Sequence, residues 1–396
     1  MAERFVYLDH AATTPADPEV VAAMLPYFTE QFGNPSSIHQ AGRAALAALD
    51  QSRETVARVL NAHRKEIVFT GGGSEADNLA VKGVAQALRL AGRGGHVITS
   101  AIEHHAVLNA VESLAEQGFE TTVLPVDARG LVRPDDLRAA IRPDTAIVSI
   151  MYANNEIGTI QPIAELGTIC HQAGVIFHTD AVQAAGSLTL DVQALNVDLL
   201  SIAAHKFYGP KGVGALYVRH GVPLSPQVNG GGQERRRRAG TENIAGIVGL
   251  AHALASAEAS RQQYLAHCQP LRDRLIGQIL ERVPFTALNG DDAQRLPNNV
   301  NIAFDYIEGE SLLLLLDQQG IAASSGSACT SGALEASHVL LALGSPEEQA
   351  VGSVRFTLGK HTTAEDVEYV LETLPPLVER LRSVSPAYRE RVAALA

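Results

Sequence analysis

No tryptophan occurs anywhere in the chain, and aromatic residues make up only 5% of its 396 positions. A sandwich filled by aromatic side chains fits such a composition poorly, whereas 34 glycines and abundant alanine suit helices packed closely on a sheet. Cysteine is scarce too. Cys170, Cys268 and Cys329 are far apart and odd in number, which argues against a disulfide framework or a cysteine-rich zinc site, and no metal centre is expected. Each thiol must be accounted for singly, a small buried hydrophobe being the ordinary role. Basic side chains are outnumbered, 31 against 43 acidic ones, so a formal charge of -12 repels nucleic acid and anionic membrane except at a local patch. Nothing approaches the roughly 20 apolar residues of a membrane span, and the opening MAERFVYLDH has no basic region followed by an apolar stretch. The expectation is a cytoplasmic protein acting on small metabolites or soluble partners, with neither membrane nor nucleic acid involved.

At roughly 100–200 residues per domain, the length predicts two domains. EIVFT (66–70), HVITS (96–100), FETTVL (119–124), TAIVSIMY (145–152), VIFHTD (175–180), VDLLSIAAHK (197–206) and GALYV (214–218) read as strands. Between them GGGSEADNLAVKGVAQALRL, HAVLNAVESLAEQG and a stretch around 162–172 read as helices. Strands apolar on both faces and separated by helices require a sheet covered on both sides. The fold class is therefore α/β, with a large, mostly parallel-sheet domain over 15–260. Only GPKGVG separates the last two of these strands, too short for a crossover helix, so that pair is expected to be antiparallel. Helical patterning over 243–280 leads into a smaller α+β domain, 261–396 together with 1–14. It contains NIAFDYI (301–307), the helix ESLLLLLDQQG with its leucine run as a buried face, a Ser/Gly-rich stretch (324–332), a helix beginning near Ser337 and SVRFTLG (353–359). The tail from Tyr388 reads as a peripheral helix.

Three signals carry chemistry. GGGS (71–74) lies between a strand and a helix, where glycines allow close backbone approach and the helix N-terminus and Ser74 hydroxyl cradle an anion. It is neither GxGxxG nor GxxxxGK[ST], which lowers the dinucleotide and nucleoside-triphosphate readings; alone the signal is weak, with an ordinary strand-to-helix turn as its alternative. Next, His104, Asn155, Asp180, Gln183 and His205-Lys206 all fall at or just beyond strand ends, the rim of a parallel sheet where ligands bind. Pyridoxal phosphate uses such a set well: Lys206 as covalent anchor, Asp180 against the pyridine nitrogen, Gln183 near the ring hydroxyl, and His104 stacked on the ring and moving protons, since histidine titrates near neutrality. Singly, Asp180 could cap a helix and Asn155 could support the turn ANNEIG. Finally, GSACTSG (326–332) predicts a mobile loop with an exposed, reactive Cys329, while Cys170 and Cys268 lie in helical settings and are expected to pack. Arg355, on a strand, has the rigid fork that grips an amino-acid carboxylate. The run RRRR (235–238) could be a phosphate or RNA patch, though salt bridges across an interface suit an acidic protein better.

With these residues assembled, the sequence resembles the cysteine desulfurases of the nitrogen-fixation and iron–sulfur assembly type, within the class V aminotransferase superfamily of fold-type I pyridoxal-phosphate proteins. The resemblance runs through YLDHAATTP, FGNPSSIH (32–39), FTGGGSEADNLA, EHHAVL, ANNEIG, HTDAVQ, AHKFYGPKGVGALY, RAGTEN, SSGSACTSGALEASHVL and VRFTLG. It implies a homodimer that converts L-cysteine to L-alanine and hands the sulfur to Cys329 as a persulfide, for delivery to a protein acceptor such as an iron–sulfur scaffold. It further implies that Lys206 anchors pyridoxal 5'-phosphate, that Ser74 and His205 hold its phosphate with Thr241 arriving from the other subunit, and that Asn155, Arg355 and Asn34 position the substrate carboxylate. Where relatives commonly carry SFSGHK this chain has SIAAHK, so Ala203 replaces a phosphate-binding hydroxyl, and weaker cofactor retention is expected. GGSE stands for a frequent GATE, His105 for a lysine, and Ala336 for a frequent proline. A selenocysteine lyase or cysteine-sulfinate desulfinase on the same scaffold, an aminotransferase, a non-catalytic sulfur carrier and an RNA-binding protein are the competing readings.

Overall fold

The computed structural model describes residues 4–325 and 336–395. Near the N-terminus β1 (Val6–Tyr7) pairs in parallel with a distant strand, β11 (Ile321–Ala322). The central sheet is built from β2 (Ile67–Thr70), β3 (His96–Ser100), β4 (Glu120–Leu124), β5 (Thr145–Ser149), β6 (Ile176–Asp180), β7 (Leu199–Ala203) and β8 (Gly214–Val218), in the spatial order β2-β8-β7-β6-β5-β3-β4. Neighbours from β7 through β4 are parallel, and β8 is antiparallel to both β2 and β7, as the short GPKGVG connection requires.

Successive residues of one strand serve opposite faces of this sheet. Val97, Ile147, Leu199 and Leu216 pack with Leu79, Val84, Val111 and Leu114 of helices Gly73–Leu90 and His105–Glu116. Their neighbours Ile98, Val148, Leu200 and Tyr217 pack on the other side with Val56, Leu166 and Leu250 of helices Gln40–Val59, Ile163–Ala173 and Ile244–Ala259. Both faces are therefore dry, and only the edge strand β4 turns Glu120, Thr121 and Val123 to solvent.

A second sheet, β12 (Ser353–Thr357), β10 (Asn299–Phe304) and β9 (Thr286–Leu288), is antiparallel throughout. Val300, Ile302, Val354 and Phe356 form its core with helices Arg261–Arg282, Gly309–Gln318 and Ala364–Val384, and Val6 and Leu8 enter the same cluster. The leucine run from Leu312 is not buried throughout. Leu312 and Leu316 are fully buried but Leu314 is 67% exposed, because a 3.6-residue turn cannot turn five consecutive positions to one side. Ser337 caps helix His338–Ala342, and Pro386–Leu395 forms the terminal helix. Among the described residues no helix is long and apolar enough to cross a membrane.

Candidate active site

The carboxyl ends of β2, β3, β5, β6 and β7 form one rim, and polar residues stand at these ends or a few residues beyond them. After β2, Gly71–Gly73 run into helix Gly73–Leu90, with Ser74 exposed on its first turn. A hollow of about 450 Å³ opens there, bordered by Ala12, Thr13, Ser74, His205, Lys211 and the glycines. Close walls explain two nearby glycines, Gly73 and Gly214. A Cβ at Gly214 would lie 2.7 Å from the Gly72 backbone, and one at Gly73 would meet Val182 at 2.9 Å and Ala203 at 3.5 Å. Position 203 thus borders the helix N-terminus, where a hydroxyl is missing. His205 Nδ1 lies 3.2 Å from Thr13 Oγ1, and burial, then Lys206 and Lys211, push its imidazole down to about 4, so the ring stays neutral. Ser74 and His205 border this one hollow together with Lys211.

Lys206 ends the single 3-10 turn after β7 and donates from Nζ to the carbonyls of Ala11 (2.5 Å) and Ala12 (2.9 Å). Gln183 Nε2 donates to the same Ala11 carbonyl at 2.9 Å, so the segment Asp9–Thr13 gathers two of the named side chains. Asp180, the last residue of β6, is buried and accepts from the Val182 amide at 2.9 Å. Burial pushes its carboxyl up to about 6, against the opposing pull of that amide and of the Lys206 charge.

His104 caps helix His105–Glu116, its Nδ1 accepting from the Ala106 amide at 3.1 Å. The proton of the neutral ring therefore sits on Nε2. Burial, then Lys206, His105 and His338, push this imidazole down to about 4. Instead of titrating near neutrality as expected, His104 is held neutral by its burial, and its Nε2–H is the group left to donate.

Sequence reasoning missed the acids beneath this rim. Asp77, one turn into helix Gly73–Leu90, and Glu103, next to His104, are both buried, and Asp77 Oδ1 and Glu103 Oε2 have no hydrogen-bond partner among the described residues. Glu103 Oε1 accepts from Ser100 Oγ (2.5 Å) and the Met151 amide (2.9 Å). Burial raises Asp77 well above the carboxylate range and Glu103 to about 8. A single sequence offers no signal for this, since either residue reads equally well as a solvated helix-end acid. The consequence is a pH dependence. The folded state keeps a proton on Glu103 that the unfolded chain releases above its ordinary value, so stability falls as pH rises towards 8. Buried neutral histidines act oppositely, but only below their ordinary value. From pH 7 to 8, over which Glu103 goes from mostly protonated to about half, it is expected to lower the unfolding free energy by about 1 kcal/mol. Urea titrations of the cofactor-free protein check this, with Glu103→Gln flattening the slope.

Arg355 on β12 is buried. Its Nη1 donates to the Asn155 carbonyl (3.0 Å), Nη2 pairs with Asp9 Oδ1 (2.9 Å), and Nε has no partner among the described residues. The structure thus joins Arg355 to Asn155. Asn34 stands apart in an exposed turn, its Oδ1 accepting from the Ser36 amide at 2.9 Å, and none of its described bonds reaches another named residue. Thr241 is exposed, with no described bond to the hollow. In the arginine run, Arg238 pairs with Glu75 at 2.7 Å, and Arg235 donates to the Lys65 and Ile67 carbonyls. Cys329 lies outside the described residues. Cys170 and Cys268 are buried, and burial raises both thiols to about 12, so neither is a nucleophile.

The family model for Aminotransferase class-V matches residues 6–370. A curated relative named cysteine desulfurase IscS, from Methanosarcina thermophila, is 56% identical over 381 residues, covering 96% of this chain and 94% of its own. A solved structure described as a NifS-like protein superposes with a TM-score of 0.89 at 37% identity, covering 96% of this chain and all of the other. Another, described as SspA in complex with cysteine, gives 0.79 at 37% identity over 90% of this chain and all of its own.

Proposed function

The chain belongs to the class-V aminotransferase family, and on that footing we propose that it is a cysteine desulfurase working with pyridoxal 5'-phosphate. What supports the reading most directly is one convergence: a buried carboxyl (Asp180), an amine (Lys206) and an anion hollow (Ser74, His205) on a single sheet rim. These residues fit the cofactor. Ser74, His205 and the backbone of Gly72 and Gly73 would hold its phosphate, Asp180 would keep the pyridine nitrogen protonated, Gln183 would donate to the ring hydroxyl, and His104 would lie against the ring. When bound, the cofactor supplies an electron sink for charge released at the substrate α-carbon.

The chain's own residues do the rest. Arg355 and Asn155, with Asn34, orient the carboxylate of L-cysteine, which must displace Asp9 from the guanidinium. Lys206 would anchor the cofactor, and its amine would take the substrate α-proton. His104, held neutral with its proton on Nε2, would donate a hydrogen bond towards the substrate, and the substrate thiol proton stays with the transferred sulfur. The Cys329 thiolate then attacks the substrate sulfur: the C–S bond breaks, an S–S bond forms, and the β-carbon takes up a proton. L-Cysteine and one enzyme thiol become L-alanine and one enzyme persulfide, with no external oxidant. The sulfane sulfur passes to a protein acceptor such as an iron–sulfur scaffold, in the cytoplasm.

The working unit is a homodimer. Leu25, Phe28, Phe32 and Ile38 are 58%, 60%, 72% and 91% exposed, an apolar stretch that a second copy covers while the partner subunit's Thr241 completes the phosphate site.

The test is direct. Borohydride reduction should fix a pyridoxyl group on Lys206, and L-cysteine should yield alanine and, with a reducing thiol, equal sulfide; a lysine left unlabelled or an absence of alanine overturns the reading. Ala203→Ser restores a donor to the phosphate and should tighten cofactor binding by about 1.5–3 kcal/mol, roughly tenfold or more in Kd. Equilibrium titration of the cofactor-free protein measures it.

A further inference from the structure

We propose that the turn Asn154–Glu156 clamps both roots of the segment carrying Cys329 to the substrate-carboxylate corner, and that Glu156 is its positioning residue. The inference rests on the proposal that Cys329 receives the sulfur.

The two roots are tied to adjacent residues. On the N-terminal side, the amide and carbonyl of Ser324 pair with the carbonyl (3.1 Å) and amide (2.6 Å) of Arg355. The guanidinium of that same arginine donates to the Asn155 carbonyl at 3.0 Å. On the C-terminal side, Ser337 Oγ donates to Glu156 Oε2 at 2.5 Å, and both residues are only 4% exposed. The direction of this bond is fixed. Ser337 Oγ accepts from the Val339 and Leu340 amides, so its single proton is left for the carboxylate. One residue on, His338 Nε2 donates to the Glu103 carbonyl at 3.0 Å, directly before His104.

Glu156 is itself held rigidly. Its amide donates to Asn154 Oδ1 at 2.8 Å, and its carbonyl accepts from the side chains of Asn299 (3.0 Å) and Asn301 (3.1 Å) on β10. A charged oxygen fixed by the turn therefore sets where the segment re-enters the fold, and the arginine proposed to grip the substrate sets where it leaves. Attack of sulfur on sulfur needs near-attack geometry, and a misplacement of about 1 Å costs up to a hundredfold in rate. An N-cap alone would need only the two amides. The third bond, into a buried carboxylate beside Asn155, is what a positioning role adds.

Glu156→Leu keeps the cap on Ser337 and removes the clamp, whereas Glu156→Gln retains an acceptor oxygen. In single turnovers with L-cysteine at equal cofactor occupancy, persulfide on Cys329, followed by mass, should form about tenfold more slowly in Glu156→Leu and recover in Glu156→Gln. The spectral affinity for L-alanine, which fills the same corner but offers no sulfur, should stay within about twofold in both. Unchanged persulfide formation in Glu156→Leu overturns the clamp, and so does a parallel loss of alanine affinity, which would mark general damage to the corner. Should that variant not fold, Ser337→Asp, which still accepts from both amides but has no proton to give Glu156, decides the same question: slow persulfide formation at unchanged alanine affinity supports the clamp, and an unchanged rate overturns it. Absence of persulfide in the unaltered protein overturns the parent reading and the clamp with it.

Discussion

Cys329→Ala is expected to leave a folded, yellow protein whose release of alanine from L-cysteine has fallen by about a thousandfold or more. The size of the effect follows from the lack of a substitute. Cys170 and Cys268 are enclosed, and burial holds their thiols at about 12, so neither can supply a thiolate near neutrality. Water attacks divalent sulfur poorly, so deleting the thiol removes the step instead of diverting it. Selenocysteine and cysteine sulfinate differ, because their heteroatoms leave the β-carbon without a protein nucleophile, and their turnover should survive the substitution. Alanine quantified from all three substrates, alongside the mass of the unaltered protein after one turnover, checks the prediction. Persistent cysteine turnover in Cys329→Ala would remove this thiol from the reaction.

The central sheet was legible because its strands are short, β-branched and dry on both faces, so HVITS, TAIVS and GALYV allow one structure only. The rim residues followed from the same pattern, each standing where a strand stops. Helix Ala364–Val384 was not legible, since Pro375 and Pro376 lie inside it and proline is the strongest local argument against a helix. Tertiary packing overrides it: Val367, Val370, Leu371, Leu374 and Val378 all reach the second core. Helix Gln40–Val59 escaped notice as a polar segment whose buried positions are alanine, serine and arginine as much as leucine or valine. The site was legible as residue types and incomplete as environment. A sequence names His104 and Asp180 but cannot state the burial that keeps one neutral and raises the other to about 6, nor the buried acids Asp77 and Glu103 beneath them.

Arg53→Met should lower the unfolding free energy by about 3–5 kcal/mol, the largest stability loss we expect from one substitution away from the rim. Arg53 and Glu234 form a forked pair, with both guanidinium–carboxylate bonds at 2.7 Å and both side chains at most 5% exposed. Arg53 also donates to the Ile67 carbonyl at 2.8 Å and stacks over Phe69, while Glu234 accepts from the Phe69 amide at 3.1 Å. The methionine leaves the Glu234 carboxylate buried and without its cation, and that uncompensated charge is the main cost. Removing both charges with Arg53→Met/Glu234→Leu should recover a large part of the loss, measurable as a return of the urea midpoint. Cofactor affinity should not return with it. Glu234, Arg235 and Arg236 all hold left-handed backbone, with φ of 44°, 56° and 64°, a conformation such residues keep only when their surroundings impose it. That turn carries Arg238 to Glu75, next to Ser74 at the anion hollow. A double variant that regains stability while its cofactor Kd stays raised would separate the two duties of the pair, holding the fold together and setting the path of the arginine segment past the phosphate site.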